Sequence, residues 1–213
     1  MTPARRILSH VALCAGLAAG SAFAGNQAYE PMSASVRAAL HAAVSDAGAP
    51  ELPIADATER AGWLAEMSRR LEKRIPDRNY REELLTAVHY EATRAGLDPQ
   101  LVLGLIQVES AFRKYAVSSA GARGFMQVMP FWIKTIGLPA DNLFHLRTNL
   151  RYGCTILRHY LDVEKGDLFR ALGRYNGSLG RPEYPNLVRA AWEKHWGWDP
   201  MRLAVGGSGR SAN

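Results

Sequence analysis

The chain has 213 residues, enough for one ordinary domain with extensions. Apolar residues make up 47% and charged residues 22%, the composition of a globular protein with a sizeable core, and no internal repeat or long low-complexity tract is visible. The formal charge of +6 is scattered rather than gathered into a basic and aromatic track. It therefore bears on solubility and nonspecific attraction and does not mark a nucleic-acid binder.

The N-terminus reads as a targeting segment. Arg5 and Arg6 precede a mostly apolar run from Ile7 to Leu17, and Ser21-Ala22-Phe23-Ala24 supplies an A-x-A cleavage pattern before Gly25. Residues 1–24 are thus expected to be a signal peptide and the remainder to work in the periplasm. Removal of Arg5 and Arg6, with no acid, would leave a modestly basic protein. An uncleaved segment would instead be a membrane anchor, but Ser9 and His10 interrupt the run, and a span needs ~20 apolar residues. Cys14 does not make a lipobox, because Leu13 is too large for the small residue required there. After cleavage only Cys154 remains, so no intramolecular disulfide can form; Ile156 and Leu157 beside it predict a buried core thiol.

Residues 25–55, rich in Ala, Pro and Ser, read as a mobile leader with one short helix around 35–45, and residues 25–75 as an N-terminal extension. An amphipathic helix is expected over 56–75, with Ala61, Leu64, Ala65, Leu71 and Ile75 on its apolar face and Pro76 ending it. A second runs over 77–95, with Leu84, Leu85, Val88 and Ala92 at helical spacing and Gly96 as its stop. Asp98 caps the next helix and Pro99 fits its first turn. That helix carries Leu101, Val102, Leu105, Ile106 and Val108 and leads into a loop with Ser118, Ser119, Gly121 and Gly124. Further helices are expected from Pro130 to Gly137, over 148–165 and over 167–175, with a turn from Gly177 to Pro185 and a last helix over 186–196. The Gly/Ser-rich residues 201–213 read as a disordered tail. No stretch alternates as a strand would, so the fold class is mainly α, a compact helical domain over 76–200.

Glu109 is the informative residue. Val102, Ile106 and Glu109 fall at i, i+4 and i+7 and share one helical stripe. A carboxyl ending a buried stripe is costly to ionise, and a retained proton is what a general acid for glycosidic cleavage requires. The plain alternative is a helix-end glutamate paired with Arg113 at i+4. Between Ser110 and Ala140 there is no Asp or Glu, whereas most glycosidases need two carboxylates. Asp141 or Glu164 could supply a distant partner. The simpler chemistry uses one carboxylate, with the substrate's N-acetyl carbonyl and 6-hydroxyl completing the reaction.

Three blocks resemble the catalytic domain of soluble lytic transglycosylases, a relative of the goose-type lysozyme fold. They are Val108-Glu109-Ser110-Ala111-Phe112, Ser118-Ser119-Ala120-Gly121-Ala122-Arg123-Gly124-Phe125-Met126-Gln127-Val128-Met129-Pro130, and Arg174-Tyr175-Asn176-Gly177. Each is weak alone; their order and spacing are specific. Phe125 stands where Leu is usual and Arg174 where Ala is usual, and Ser178 takes the place of a common Gly. The resemblance implies a lysozyme-like fold and cleavage of peptidoglycan glycan strands without cofactor or metal. Glu109 is then acid and base. Ser118 and Gln127 bind the N-acetyl group or nearby glycan, and Met129 lines the groove beside the reacting sugar. Tyr175 orients Glu109 or substrate through its hydroxyl, and Asn176 holds the loop or contacts glycan.

On the residues alone, Ser118 and Asn176 also fit turns, and Met126 and Met129 also fit plain core. Trp192, Trp196 and Trp198 fit a C-terminal helix docked on the core better than a sugar-stacking platform, and Trp63 and Trp132 fit packing. His41, His89, His145, His159 and His195 show no metal-ligand spacing, and no G-x-S-x-G elbow is present. A hydrolytic lysozyme-type muramidase and a noncatalytic peptidoglycan-binding protein remain as alternatives. Cell-envelope assembly partners would fit such an enzyme, but nothing in the sequence identifies them.

Overall fold

The computed structural model of the protein describes residues 27–45, 48 and 51–199. The expected signal peptide, the first and some later residues of the expected leader, and the expected tail lie outside the described residues. Helices are α1 (Ala34–Ser45), α2 (Ala57–Leu71), α3 (Arg78–Arg94), α4 (Pro99–Ser110), α5 (Phe131–Ile136), α6 (Leu146–Val163), α7 (Leu168–Asn176) and α8 (Glu183–Ala191). The last runs on into one wide π-type turn over Trp192–Trp196. Among the described residues there is no strand, only isolated bridges from Arg123 to Val117 and to Val128. The mainly α class expected from the periodicity is what forms. No helix of the described residues is long and apolar enough to cross a membrane.

Four aspartates start four helices. Asp56, Asp77, Asp98 and Asp167 each accept from a backbone N–H in the first turn of α2, α3, α4 and α7. Each such cap contributes about 0.5–2 kcal/mol. Helix α4 is the centre of the packing. Leu101, Val102, Leu103, Leu105 and Ile106 are all buried, so apolar side chains leave it in most directions, as expected of a helix enclosed by its neighbours. It packs on α3, on α8 and on the 192–196 turn. Gly104 makes the last contact close: a Cβ there would stand 2.8 Å from the Trp192 backbone nitrogen.

Two expectations need correction. The buried face of α2 is Trp63, Met67 and Leu71, while Ala61 and Ala65 point outward. Trp63 and Met67 bury far more apolar surface than two alanines, so the helix rolls onto them. It also ends at Leu71, whose carbonyl accepts from both Arg74 and Ile75. The second correction concerns α8, which begins at Glu183 rather than 186. Pro185 sits in its first turn, where a missing N–H costs nothing. The described part of the expected leader is docked: α1 packs on α5 and α6, with Leu40 and Val44 in the common core.

Cys154 is a buried free thiol, as its neighbours predicted, and burial pushes its pKa up. Besides Glu109, the charged side chains of Arg81 and Glu91 are buried. Arg81 donates to Ser68 Oγ and to the carbonyls of Ile75 and Pro76. Glu91, fully buried, accepts from Arg94 Nε at 3.0 Å and from Arg151 Nε and Nη2 at 3.1 and 3.0 Å. Removing one member of such a pair leaves charge without compensation. Glu91→Gln is therefore expected to lower stability in urea unfolding by about 3–5 kcal/mol, and an unchanged midpoint would contradict this role.

His89, edge-on to Trp63 at 4.8 Å, and His159 both have pKa values lowered, chiefly by burial. The unfolded chain therefore binds more protons than the folded one just below the ordinary imidazole pKa of about 6.5, and stability falls as pH falls through that value. The urea midpoint is expected to drop from pH 7 to pH 5, and to drop less in His89→Gln. An equal drop in that variant would remove His89 from the account.

Candidate active site

The end of α4 delivers the carboxyl group. Val102, Ile106 and Glu109 are all buried, as their shared stripe predicts, with Glu109 only 2% exposed. Its Oε1 accepts from the Tyr184 hydroxyl at 2.5 Å. Arg113, the candidate partner at i+4, instead donates from Nε to the Ser110 carbonyl. Tyr184, Val188 and Ala191 form the buried stripe of α8, so the phenol arrives by the same packing that holds the C-terminal helix on α4. Burial, then the charge of Glu109, holds the pKa of Tyr184 and of Tyr175 well above the ordinary phenol value. Both therefore stay protonated donors.

The chain leaves Glu109 sharply. Ala111 and Phe112 have φ of 50° and 64°, two successive left-handed residues without glycine, each costing on the order of 1 kcal/mol. Phe112 is fixed by packing on Trp196 at 5.3 Å. The following loop curls on itself: Arg123 and Val128 exchange backbone hydrogen bonds of 3.0 Å, and Gly124 N donates to the Ala116 carbonyl. Gly124 has φ of 75°, and a Cβ there would stand 2.4 Å from Asn149 Nδ2. Only glycine suits that position.

Three polar side chains hold this loop. Asn149 Oδ1 accepts from Met126 N at 2.8 Å, and its Nδ2 donates to the carbonyls of Arg123 and Leu143, also at 2.8 Å. Gln127 is buried with φ of 49°, and its Nε2 donates to the carbonyls of Ala116 and Gly124. Tyr175 donates its hydroxyl proton to the Met126 carbonyl at 2.7 Å.

The expected site residues are held in place by different means. Ser118 Oγ accepts from Ala122 N at 3.0 Å, a turn bond that leaves the hydroxyl proton able to donate. Gln127 spends its nitrogen on the loop itself. The Tyr175 hydroxyl goes to the loop backbone, and the phenol bonded to Glu109 is that of Tyr184. Met129 is half-buried, and Asn176 closes α7 before Gly177, whose φ of 77° ends the helix. Asp141 accepts from Tyr152 Oη and Leu138 N, and Glu164 from Arg170 and Arg174, so both distant acids are engaged in holding turns. Among the described residues, no group of three or more His, Cys, Asp or Glu side chains could hold a metal ion.

Sequence reasoning missed Tyr184 because 177–185 reads as a turn. A signal was present: Glu183 and Pro185 suit a helix's first turn, and Tyr184, Val188 and Ala191 repeat at helical spacing. Trp196 and Trp132 are buried, in accord with packing. Trp196 Nε1 donates to Gln107 Oε1 at 3.0 Å, fixing the C-terminal turn to α4.

Residues 86–187 match the Transglycosylase SLT domain family. The transglycosylase of Enterobacteria phage PRD1 is 36% identical over 88 residues, covering 41% of this chain and 32% of that protein. Membrane-bound lytic murein transglycosylase C of Histophilus somni (strain 2336) is 35% identical over 115 residues, covering 46% of this chain and 32% of that protein. A crystal structure of an inactive mutant of lytic transglycosylase Slt from Pseudomonas aeruginosa aligns at 25% identity and a TM-score of 0.39, covering 56% of this chain and 21% of that one. The chain thus spans about a third of the length of these curated relatives.

Asn149 makes a direct test of the loop's construction. Asn149→Ala leaves the Met126 N–H and two carbonyls without their partner and is expected to cost about 2–4 kcal/mol of stability. A loss below ~0.5 kcal/mol in urea unfolding, the size of an ordinary surface change, would show that the loop holds itself.

Proposed function

We propose that this chain is a peptidoglycan lytic transglycosylase, a reading supported by the match of residues 86–187 to the Transglycosylase SLT domain family. It cuts the β-1,4 bond between MurNAc and GlcNAc and leaves 1,6-anhydromuramoyl ends. The observation that carries this reading is the buried Glu109 carboxyl at the end of α4, met by the Tyr184 hydroxyl. The other fully buried acid among the described residues, Glu91, is neutralised by two arginines.

The chemistry follows from that carboxyl. Oε1 accepts from Tyr184, so the transferable proton belongs on the second oxygen. Glu109 gives it to the glycosidic oxygen as the bond to the MurNAc anomeric carbon breaks. The N-acetyl carbonyl of that sugar stabilises the positive carbon. The 6-hydroxyl then attacks it and returns its proton to Glu109, closing the anhydro ring. No water is consumed and no second carboxylate is needed. Tyr184 helps a buried group hold negative charge between the two proton transfers. Ser118 and Met129 offer hydroxyl and apolar contacts to the glycan, and the buried Asn176 closes α7 next to Tyr175. Gln127 and Tyr175 support the loop that presents them.

The N-terminal pattern of residues 1–24 supports export to the periplasm, where murein is the polymer at hand. The murein transglycosylase named among the relatives is membrane-bound, which agrees with work at the cell envelope. General wall turnover and local opening for an envelope assembly both fit this activity.

Glu109→Gln keeps the shape and can still accept from Tyr184, but has no proton to give. Release of soluble fragments from murein is expected to fall by about 10²–10⁴-fold with unchanged thermal unfolding. Full activity in that variant would sink the mechanism. Tyr184→Phe is expected to reduce turnover about ten- to a hundredfold, as loss of one hydrogen bond to a charged group would; an unchanged rate would remove Tyr184 from the chemistry.

A further inference from the structure

Residues 27–30 have no helix or strand of their own, yet they lie across the loop that the site depends on. Gln27 is 4% exposed. Its Oε1 accepts from two donors at once, the Trp132 indole Nε1 at 2.9 Å and the Met129 backbone N–H at 3.4 Å. The same carboxamide neighbours the Tyr175 hydroxyl. Tyr29 meets Phe131 edge-on at 6.0 Å. Glu30 receives Arg174 Nη1 on both carboxylate oxygens, at 2.8 and 3.0 Å. Arg174 is the residue beside Tyr175 that departs from the family block, and here it pins the segment down.

The fit is good at the amide oxygen and poor at the nitrogen. Gln27 Nε2 is buried beside the Tyr175 hydroxyl, where it makes no well-formed hydrogen bond. Turning the amide over would set its NH₂ against two N–H donors, so the donors dictate this orientation. Two converging N–H donors call for an acceptor oxygen, and an amide carbonyl supplies one. The acetamido group of a murein sugar presents the same carbonyl, and its secondary amide brings one N–H in place of two. A ligand that keeps the two good bonds and carries fewer donors to bury has the advantage over Gln27.

We infer that residues 27–30 are an internal competitor for the glycan: Gln27 offers its carboxamide to the Met129 and Trp132 donors that an acetamido group of the substrate takes, and the Glu30–Arg174 pair holds it there. The choice of an acetamido sugar as the rival ligand rests on the murein-cleaving reading; the competition itself does not. Glycan binding then requires the segment to leave, so apparent affinity is reduced by the fraction of molecules in which it is docked.

The test is calorimetric titration of the full chain with tri-N-acetylchitotriose, in wild type, Gln27→Ala and Glu30→Ala. Glu30 is half exposed, so its variant loosens the segment without opening the core. Both variants are expected to bind about three- to tenfold tighter, the factor released when a competing docked state is removed. Murein turnover at low substrate is expected to rise alongside. Unchanged or weaker sugar binding in Glu30→Ala, with normal thermal unfolding, would overturn the competitor and leave Gln27 a packing residue. A murein stem peptide titrated in parallel separates the amide sources: tightening for the peptide and not the sugar would overturn the acetamido assignment. Tighter sugar binding without any murein turnover would keep the competitor and refute the activity, while normal turnover with unmoved binding would do the reverse.

Discussion

A carboxyl group buried in a helical core must be met by a donor, and the 2.5 Å bond from the Tyr184 hydroxyl to Glu109 is the contact the rest of the site is built to make. It joins residues far apart in the chain, so it exists only if α8 lies along α4. Gly104 lets the Trp192 backbone approach α4 closely, and Trp196 bonds Gln107 one turn further along. From the other side, Arg70 on α2 donates to the carbonyls of His195 and Gly197, which ties the end of the C-terminal segment to the N-terminal half. The N-terminal helices are thus part of the apparatus that positions a phenol against a carboxylate.

The loop after Glu109 has the opposite problem. It has almost no regular structure of its own, and its backbone groups need partners. Asn149, Gln127 and Tyr175 supply them from α6, from within the loop and from α7. Polar residues that look like sugar ligands in a linear sequence therefore act first on protein backbone. This division makes chemical sense. A glycan is recognised by groups held still, and an amide that must also satisfy two carbonyls cannot wander.

What was legible in the sequence follows from locality. The cap at Asp98 and the stripe ending in Glu109 are carried by residues within two helical turns, and they form as expected. The face of α2 was misread because alanines match a helical period as well as Trp63 and Met67 do, and only burial of the larger side chains breaks the tie. Tyr184 was hidden because Pro185 reads as a turn residue until one sees it in a helix's first turn. Gln27 carried no signal at all: its partners Met129 and Trp132 lie about a hundred residues away, and nothing local marks a polar residue in an apolar leader as buried. The Arg174 departure from the family block was visible, but its partner Glu30 was not.

On the proposed reading, one buried glutamate cleaves the glycan with the substrate's own 6-hydroxyl as the nucleophile. The most direct measurement is mass spectrometry of the fragments this protein releases from purified murein. The account predicts muropeptides ending in 1,6-anhydromuramic acid, each one water lighter than the hydrolytic product. Fragments with reducing ends would contradict it, because they would require a positioned water that one-carboxylate chemistry does not use.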